Sequence, residues 1–223
     1  MLLNEEKDTA ILVVCDGMGG ANAGNVASEL AANAFMECIG EHLEDMGRPR
    51  DIAKIMTEAV LAANAVVFDK SLYDSEFSGM GTTLTAAVST NGGEVVASIG
   101  DSRLYHITDE DITQITKDHS VVQDMVERGE ISRTEARRHP SKNLITRAIG
   151  TSIYEPPDIF FLNINIGEYI LLCSDGLSNV VTDNEILSAV QSGNTVRESC
   201  EALVDLALSR GAPDNVTTVI YKK

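Results

Sequence analysis

The segment that decides the fold is AILVVCDGMGG, residues 10–20. Its apolar half is rich in Val and Ile and ends at Asp16 and a glycine turn, which predicts a buried strand that enters a tight turn. Apolar residues then recur at steps of three and four over 23–38, which predicts a long helix with one apolar face. The same spacing over 52–67, after a Gly/Pro break, predicts a second helix packed beside the first.

The rest of the chain changes period. β-Branched runs and turn residues predict an antiparallel meander, followed by a charged helical flap over 117–150 and a mixture of strands and helices. The expected strands are 82–88, 94–99, 103–107, 159–164, 169–173 and 215–221, and the expected later helices are 183–190 and 195–208. This order lacks the regular alternation of a parallel sheet. We therefore expect an α+β sandwich of two antiparallel β-sheets, flanked on each face by a pair of helices.

Composition limits the function classes. The chain has 223 residues, 43% of them apolar, and no linker-like stretch, so a single domain over 1–223 is expected. A net charge of -17 opposes binding to nucleic acid or to an anionic membrane. The carboxylate excess is either a solubilising surface or a concentration of ligands around bound cations. We expect a cytoplasmic location, because no leader or membrane-spanning segment is visible, and we expect a monomer.

The four cysteines suggest no metal or redox site. They are widely separated and form no C-x-x-C pair, so buried free thiols in a reducing compartment are expected. They are Cys15, Cys38, Cys173 and Cys200.

Three aspartates lie at expected strand ends. Asp16 and Asp175 each follow an apolar run and precede a glycine, and Asp214 precedes the last strand. Each Asp-Gly alone is an ordinary turn. Together at one sheet rim they form a set of oxygen ligands of the kind that Mg²⁺ and Mn²⁺ prefer, and Gly17 allows close approach of a main-chain carbonyl. We expect a metal cluster here.

Five ordered motifs carry a family resemblance. They are Asp16-Gly-Met-Gly-Gly with Ala23-Gly24 and Ala27-Ser28, Gly79-Met-Gly-Thr-Thr83, Gly100-Asp-Ser-Arg103, Ser174-Asp-Gly-Leu177 and Asp214-Asn-Val-Thr217. In this order they resemble the metal-dependent PPM, or type 2C, Ser/Thr protein phosphatases, and DGMGG resembles the bacterial members. The resemblance covers nearly the whole chain from Ala10 onward and implies two antiparallel sheets flanked by helix pairs.

The resemblance implies a ligand set for two Mn²⁺ or Mg²⁺ ions. Asp16, Asp175 and Asp214 would bind the first metal, and Asp16 with the Gly17 carbonyl would bind the second. The implied chemistry is hydrolysis of phosphoserine or phosphothreonine on proteins by a water that the two cations share, without a protein nucleophile. The implied partners are phosphorylated proteins and the Ser/Thr kinases that such a phosphatase would oppose in signalling.

A third, weaker metal is implied at Asp101, with Asp175 shared and Asn143 near the expected place in the flap. Two plainer interpretations stay open from the residues alone. Asp101 is equally placed to cap a hairpin turn, and Arg103 is placed to form a structural ion pair with a nearby carboxylate.

The chain departs from the family pattern in two places. Family members begin with a strand that carries an arginine and an Asn-Glu-Asp motif, and this N-terminal strand is expected to be missing. Asn4-Glu5-Glu6 is read as a charged lead-in, because ten positions before Asp16 are too few for a strand, a turn and a second strand. Met18 stands where eukaryotic relatives carry a histidine proposed as general acid. His119 is a substitute for that histidine or, as the plainer interpretation, a solvated surface residue.

Three other functions compete with an active phosphatase. The missing N-terminal motif favours a catalytically weak or inactive metal-binding module that recognises a phosphoprotein or regulates a partner. A phosphatase of the haloacid dehalogenase type would need a second acid where Met18 stands. A purely structural domain would leave the five ordered motifs unexplained.

Overall fold

The computed structural model of this protein describes residues 1–4 and 9–223, apart from the side chains of residues 2–4 and 21. Its strands, in chain order, are β1 (Leu2–Asn4), β2 (Thr9–Val14), β3 (Gly17–Met18), β4 (Gly81–Thr82), β5 (Leu84–Thr90), β6 (Gly93–Ile99), β7 (Arg103–Ile107), β8 (Ile112–Gln114), β9 (Asp158–Leu162), β10 (Tyr169–Cys173) and β11 (Thr218–Lys222). Its α-helices are α1 (Ala21–Glu41), α2 (Pro49–Tyr73), α3 (Val121–Glu127), α4 (Arg133–Ala136), α5 (Asp175–Ser178), α6 (Asp183–Ser192) and α7 (Val196–Ser209).

The strands form two main antiparallel sheets. The first has the order β1-β2-β5-β6-β9 and the second has the order β11-β10-β7-β8. A two-stranded ribbon of β3 and β4 joins the Asp-Gly turn to the Gly-Thr-Thr motif. The predicted α+β sandwich of antiparallel sheets is confirmed.

Three apolar layers hold the sandwich together. Helices α1 and α2 pack on the outer face of the first sheet, and α6 and α7 pack on the outer face of the second. Between the sheets, Leu12 and Val14 of β2 meet Ile170 and Leu172 of β10. Their neighbour Ile11 points the other way, into the α1 and α2 layer. Because both faces are buried, the central strands read as continuous apolar runs rather than as alternating ones.

The segment before Asp16 corrects one prediction. It was expected to be too short for a strand, a turn and a second strand, yet Leu2–Asn4 pairs antiparallel with β2 in the register Leu2↔Ile11 to Asn4↔Thr9. Three residues are enough because β1 needs only to cover the edge of β2. Glu5 and Glu6 of the predicted lead-in lie outside the described residues.

The flap between 117 and 150 contains two short helices, α3 and α4. Its two ends are tied together, since the Val121 N–H donates to the Leu144 carbonyl at 2.9 Å and the Thr146 N–H donates to the His119 carbonyl at 2.8 Å. Ser132 and Glu135 form a capping box at the start of α4. The flap is therefore a closed excursion from the sandwich.

The cysteines are free thiols, as predicted, but only Cys173 is buried and the other three are half-buried. Burial raises the pKa of Cys173 to about 12, which opposes reactivity. Within residues 1–4 and 9–223, no helix combines the length and the apolar character that a membrane crossing requires.

Candidate metal centre

Asp16 is held by its main chain. Its N–H donates to Thr83 Oγ1 at 2.9 Å, and its carbonyl accepts from the Thr83 N–H at 2.8 Å and from Thr82 Oγ1 at 2.9 Å. Thr83 Oγ1 lies 2.7 Å from Ser102 Oγ. These buried hydroxyls join three of the sequence motifs, and they leave the Asp16 carboxylate free of this backbone network.

Gly17 lies against helix α1 at a distance that only two glycines permit. A Cβ on Gly24 would lie 2.8 Å from the Gly17 carbonyl oxygen, and a Cβ on Gly17 would overlap the Gly24 carbonyl. Both contacts involve main-chain atoms that cannot rotate away. Gly24 therefore fixes the position of the Gly17 carbonyl, the main-chain ligand that the sequence predicts.

Asp175 begins the short helix α5 directly after β10. Its Oδ2 accepts from Asn179 Nδ2 at 2.9 Å, one helical turn away. The Asp16 and Asp175 carboxyl groups are within hydrogen-bonding reach of one another. The structure thus brings together two of the predicted ligands that are far apart in sequence.

Asp214 is brought to the same edge by a hydrogen-bonded neck of the chain, formed by Ser174 with 215–217. Ser174 Oγ donates to the Asn215 carbonyl at 3.1 Å and accepts from the Thr217 N–H at 3.0 Å. Gly176 has no side chain because a Cβ there would overlap the Asn215 carbonyl. Asp214 is exposed, and its Oδ1 accepts from the Asn215 N–H at 2.8 Å.

Asp101 lies in the turn between β6 and β7, where the preceding Gly100 is anchored to His119. The Gly100 N–H donates to His119 Nδ1 at 3.0 Å, and the His119 N–H donates to the Gly100 carbonyl at 2.9 Å. His119 is only 6% exposed, and its Nε2 lies 3.2 Å from Asp158. The prediction of a solvated surface histidine is wrong, because both ring nitrogens are used inside the fold. Burial, as the main cause, lowers its pKa, so the neutral ring is favoured.

Arg103 forms the structural ion pair that the sequence predicts. Its Nη2 lies 2.6 Å from Asp118 Oδ2 and its Nε donates to both Asp118 oxygens, while Nη1 donates to the Tyr105 hydroxyl at 3.0 Å. Charge and both edges of the guanidinium are therefore satisfied within the fold.

Burial and neighbouring carboxylates raise the pKa values of Asp16, Asp101 and Asp175. Burial, followed by repulsion from Asp175 and Asp214, raises the pKa of Asp16 to about 7. Burial, followed by repulsion from Asp175, Asp118 and Asp16, raises the pKa of Asp101 to about 7. The pKa of Asp175 is also raised, first by burial and then by Asp214. Such a group of anions favours either protons or a cation.

The chemistry of the donor set fits Mg²⁺ or Mn²⁺, since every candidate ligand is a carboxylate or a carbonyl oxygen. Among the described residues, no three His, Cys, Asp or Glu side chains are grouped closely enough to form a ready-made metal site. This does not conflict with the fit. Mg²⁺ keeps several waters in its coordination shell, so the carboxylates need not converge tightly on one point before a cation binds.

A cavity of about 870 Å³ opens beside these carboxylates. Asp101 and Asp175 lie in its wall, β8 and residues 115–118 form one side, and the flap helices α3 and α4 form another. The cavity is large enough to hold several residues of a polypeptide.

Sequence reasoning missed two residues near Asp175. Asn179 could have been found, because its spacing of four residues from Asp175 places both on one helix face. Lys142 in the flap lines the cavity, and its positive charge partly offsets the rise in the pKa of Asp175 that burial causes; no local pattern reveals this contact. Its neighbour Asn143 is exposed, and its part in a third metal site stays a prediction.

Known proteins share this fold and sequence. The family model for protein phosphatase 2C matches residues 2–206. The serine/threonine phosphatase stp of Listeria monocytogenes is 34% identical over 220 residues, which are 98% of this chain and 87% of that protein. The crystal structure of the Mycobacterium tuberculosis serine/threonine phosphatase PstP/Ppp matches with a TM-score of 0.85 and 38% identity, over 98% of this chain and 93% of that one.

A structure of the PstP catalytic domain in complex with two manganese ions matches with a TM-score of 0.82 and 38% identity, over 98% of this chain and 92% of that one. The predicted resemblance is confirmed by family, by relatives and by fold. The chain belongs to the protein phosphatase 2C family of hydrolases.

Proposed function

We propose that this protein removes phosphate from phosphoserine and phosphothreonine on proteins, with Mn²⁺ or Mg²⁺ held at the candidate metal centre. The observation that carries the proposal is the convergence of Asp16, Asp101 and Asp175 at one edge, where burial and then neighbouring carboxylates raise their pKa values, a cost that divalent cations would offset. The two manganese ions of the PstP structure support the same cofactor class.

Asp16, Asp175 and Asp214 would hold the first cation, and Asp16 with the Gly17 carbonyl would hold the second. Asp101, with Asp175 and Asn143, would hold a third. When bound, the cations would supply an activated water and would stabilise negative charge on the phosphoryl oxygens.

The chain's own groups prepare this edge for catalysis. The Thr82 and Thr83 contacts fix the Asp16 main chain, and the neck at Ser174 fixes the spacing of Asp175 and Asp214. Asn179 orients one oxygen of Asp175 by donating to it. Each constraint lowers the reorganisation needed when the phosphate group arrives, and such positioning supplies much of the rate in phosphoryl transfer.

The experiment measures hydrolysis of p-nitrophenyl phosphate and of a phosphothreonine peptide as Mn²⁺ is titrated. We expect metal-dependent turnover by wild type and a loss of at least about 100-fold in Asp175→Asn, because that change removes a ligand that two cations share. Asp205→Asn is the matched control, since it removes the same charge from an exposed position on α7.

Two results would contradict the proposal. One is turnover that continues unchanged in EDTA, and the other is an Asp175→Asn variant as active as the control. If wild type binds Mn²⁺ and the phosphopeptide by calorimetry but hydrolyses nothing, the protein is the recognition module and not the enzyme.

A further inference from the structure

The cavity beside the metal centre is richer in Lys and Arg than the rest of this protein. The chain carries 17 Lys and Arg residues against 34 Asp and Glu residues. Six of those 17 cations line this one cavity, and they are Arg103, Lys117, Arg133, Arg137, Arg138 and Lys142. Cations are therefore concentrated on the wall that continues outward from Asp101 and Asp175.

Three of the six cations are committed to the fold. Arg103 is paired with Asp118, and Lys117 Nζ lies 2.7 Å from Glu127. Arg137 donates to the carbonyls of Ser178 and Val181, and it lies 3.6 Å from Asp183. These contacts account for three of the acidic side chains in the same wall.

The other three cations are uncommitted. Arg133, Arg138 and Lys142 form no ion pair with any residue in 1–4 or 9–223 that the structure describes. Arg133 begins α4 and Arg138 follows it by two residues, both of them exposed, and Lys142 is half-buried beside Asp175. Solvated cations are ordinary on a surface, but these three share one concave wall that leads away from the candidate ligands.

We propose that this wall, the basic flap groove formed by Arg133, Arg138 and Lys142, selects phosphoproteins that carry further anionic side chains next to the phosphorylated residue. The inference rests on the proposed function and names its substrate class. A polypeptide whose phosphate lies at the cations held by Asp16 and Asp175 would continue along the cavity, past Asp101, toward α4. There, a flanking carboxylate or second phosphate would meet uncommitted guanidinium groups.

The acidic charge of the rest of the protein increases the contrast between the groove and its surroundings. A net charge of -17 repels acidic peptides elsewhere, so the groove is the place where such a peptide gains attraction. Because Arg133 and Arg138 are exposed, the preference should weaken as salt is added. A mere surplus of positive charge near the catalytic edge would instead accelerate every phosphate ester equally.

The test compares three phosphoserine peptides, flanked by alanines, by glutamates or by a second phosphoserine. In each case kcat/KM is measured for wild type, R133Q/R138Q and R50Q/R197Q. The last variant is the matched control, because it removes two positive charges from exposed positions outside the groove. We expect wild type and the control to prefer the anionic peptides, and R133Q/R138Q to lose about 5- to 30-fold of that preference.

A charge reversal guards against a trivial loss of folding. R133E/R138E should favour a lysine-flanked peptide over a glutamate-flanked one, which a damaged protein would not do. The proposal is overturned if wild type shows no preference, or if R133Q/R138Q loses activity equally on all three peptides and on p-nitrophenyl phosphate. A preference for the second phosphate but not for glutamate would restrict the class to multiply phosphorylated segments.

Binding separates this proposal from the catalytic one. The same peptides, with phosphoserine replaced by its non-hydrolysable phosphonate and a fluorescent label added, are titrated with protein and followed by anisotropy in Mn²⁺. If wild type hydrolyses nothing, the proposed function fails. The groove is still supported if anionic peptides bind about 5- to 30-fold more tightly to wild type than to R133Q/R138Q, and it is refuted if they bind both equally.

Discussion

Replacing Gly24 by alanine tests whether the Gly17 carbonyl takes part in metal binding. The new Cβ would lie 2.8 Å from the Gly17 oxygen and 2.9 Å from its carbon. An ordinary contact at this position is about 3.4 Å, so the carbonyl must move by roughly 0.6 Å. A displacement of about 1 Å at a catalytic centre can cost about 100-fold, so we expect a loss of about tenfold in kcat/KM at subsaturating Mn²⁺.

The stability change is expected to be small and is separable from the effect on activity. Alanine in place of a helical glycine stabilises by about 0.5–1 kcal/mol, whereas overpacking costs about 1–3 kcal/mol. The net loss should therefore stay below about 2.5 kcal/mol, which urea unfolding will measure. Gly40→Ala is the control, because it lies in the same helix with nothing within 4 Å of its new Cβ.

The assay is the Mn²⁺ concentration that gives half-maximal hydrolysis of p-nitrophenyl phosphate. It should rise in Gly24→Ala and stay at the wild-type value in Gly40→Ala. A Gly24→Ala protein with wild-type Mn²⁺ dependence and full activity would refute the assignment of the Gly17 carbonyl as a ligand.

Three further outcomes are expected. Asp118→Asn leaves the Arg103 guanidinium without its charged partner. It should lower the free energy of unfolding by about 3 kcal/mol in urea titrations. A change within about 0.5 kcal/mol would mean that the ion pair does not stabilise the fold. Hydrogen bonds, first from Asn165, lower the pKa of Glu168 from 4.5 to about 2, so its contribution to stability is complete above pH 4.5 and is lost as the pH falls toward 2. The difference in stability between wild type and Glu168→Gln should therefore shrink over that pH range. A difference that grows on acidification would show that the sign is wrong. Mn²⁺ at about 100 times its Kd should stabilise wild type by about 2.7 kcal/mol in thermal unfolding, and EDTA should reverse this stabilisation. The Asp175→Asn variant should be stabilised much less. Equal stabilisation of that variant would exclude Asp175 as a ligand.

Much of the fold follows from local pattern. The sandwich could be predicted because the order of helices and strands lacks the alternation of a parallel sheet. The apolar runs of the central strands fit it, since Leu12 and Ile11 on β2 face opposite sides and are both buried. The glycine turns also predicted where the acidic side chains would meet, since Asp16 and Asp175 each lie two residues after the end of a buried strand.

The errors at His119 and Lys142 share one physical reason. His119 was expected at the surface because nothing in its neighbourhood reveals that Gly100 and Asp158 enclose it. Lys142 likewise reaches Asp175 only through the folded flap. Contacts between residues far apart in sequence depend on tertiary packing, which periodicity and spacing do not contain. Strand β1 was not predicted for another reason. An edge strand of three residues is too short for alternation of apolar and polar residues to be detected.

The neck at Ser174 makes the spacing of the candidate metal ligands independent of the helices that follow it. Residues 176–213 leave and return through hydrogen bonds at one point, so the approach of Asp175 to Asp214 depends on that closure and not on the length of α6 or α7. Lengthening the short loop between α6 and α7 costs little, because the entropy of closing a loop grows only with the logarithm of its length, whereas the helices themselves must keep covering the second sheet. Another module could therefore be grafted into the loop between α6 and α7 while the two carboxylates keep their spacing.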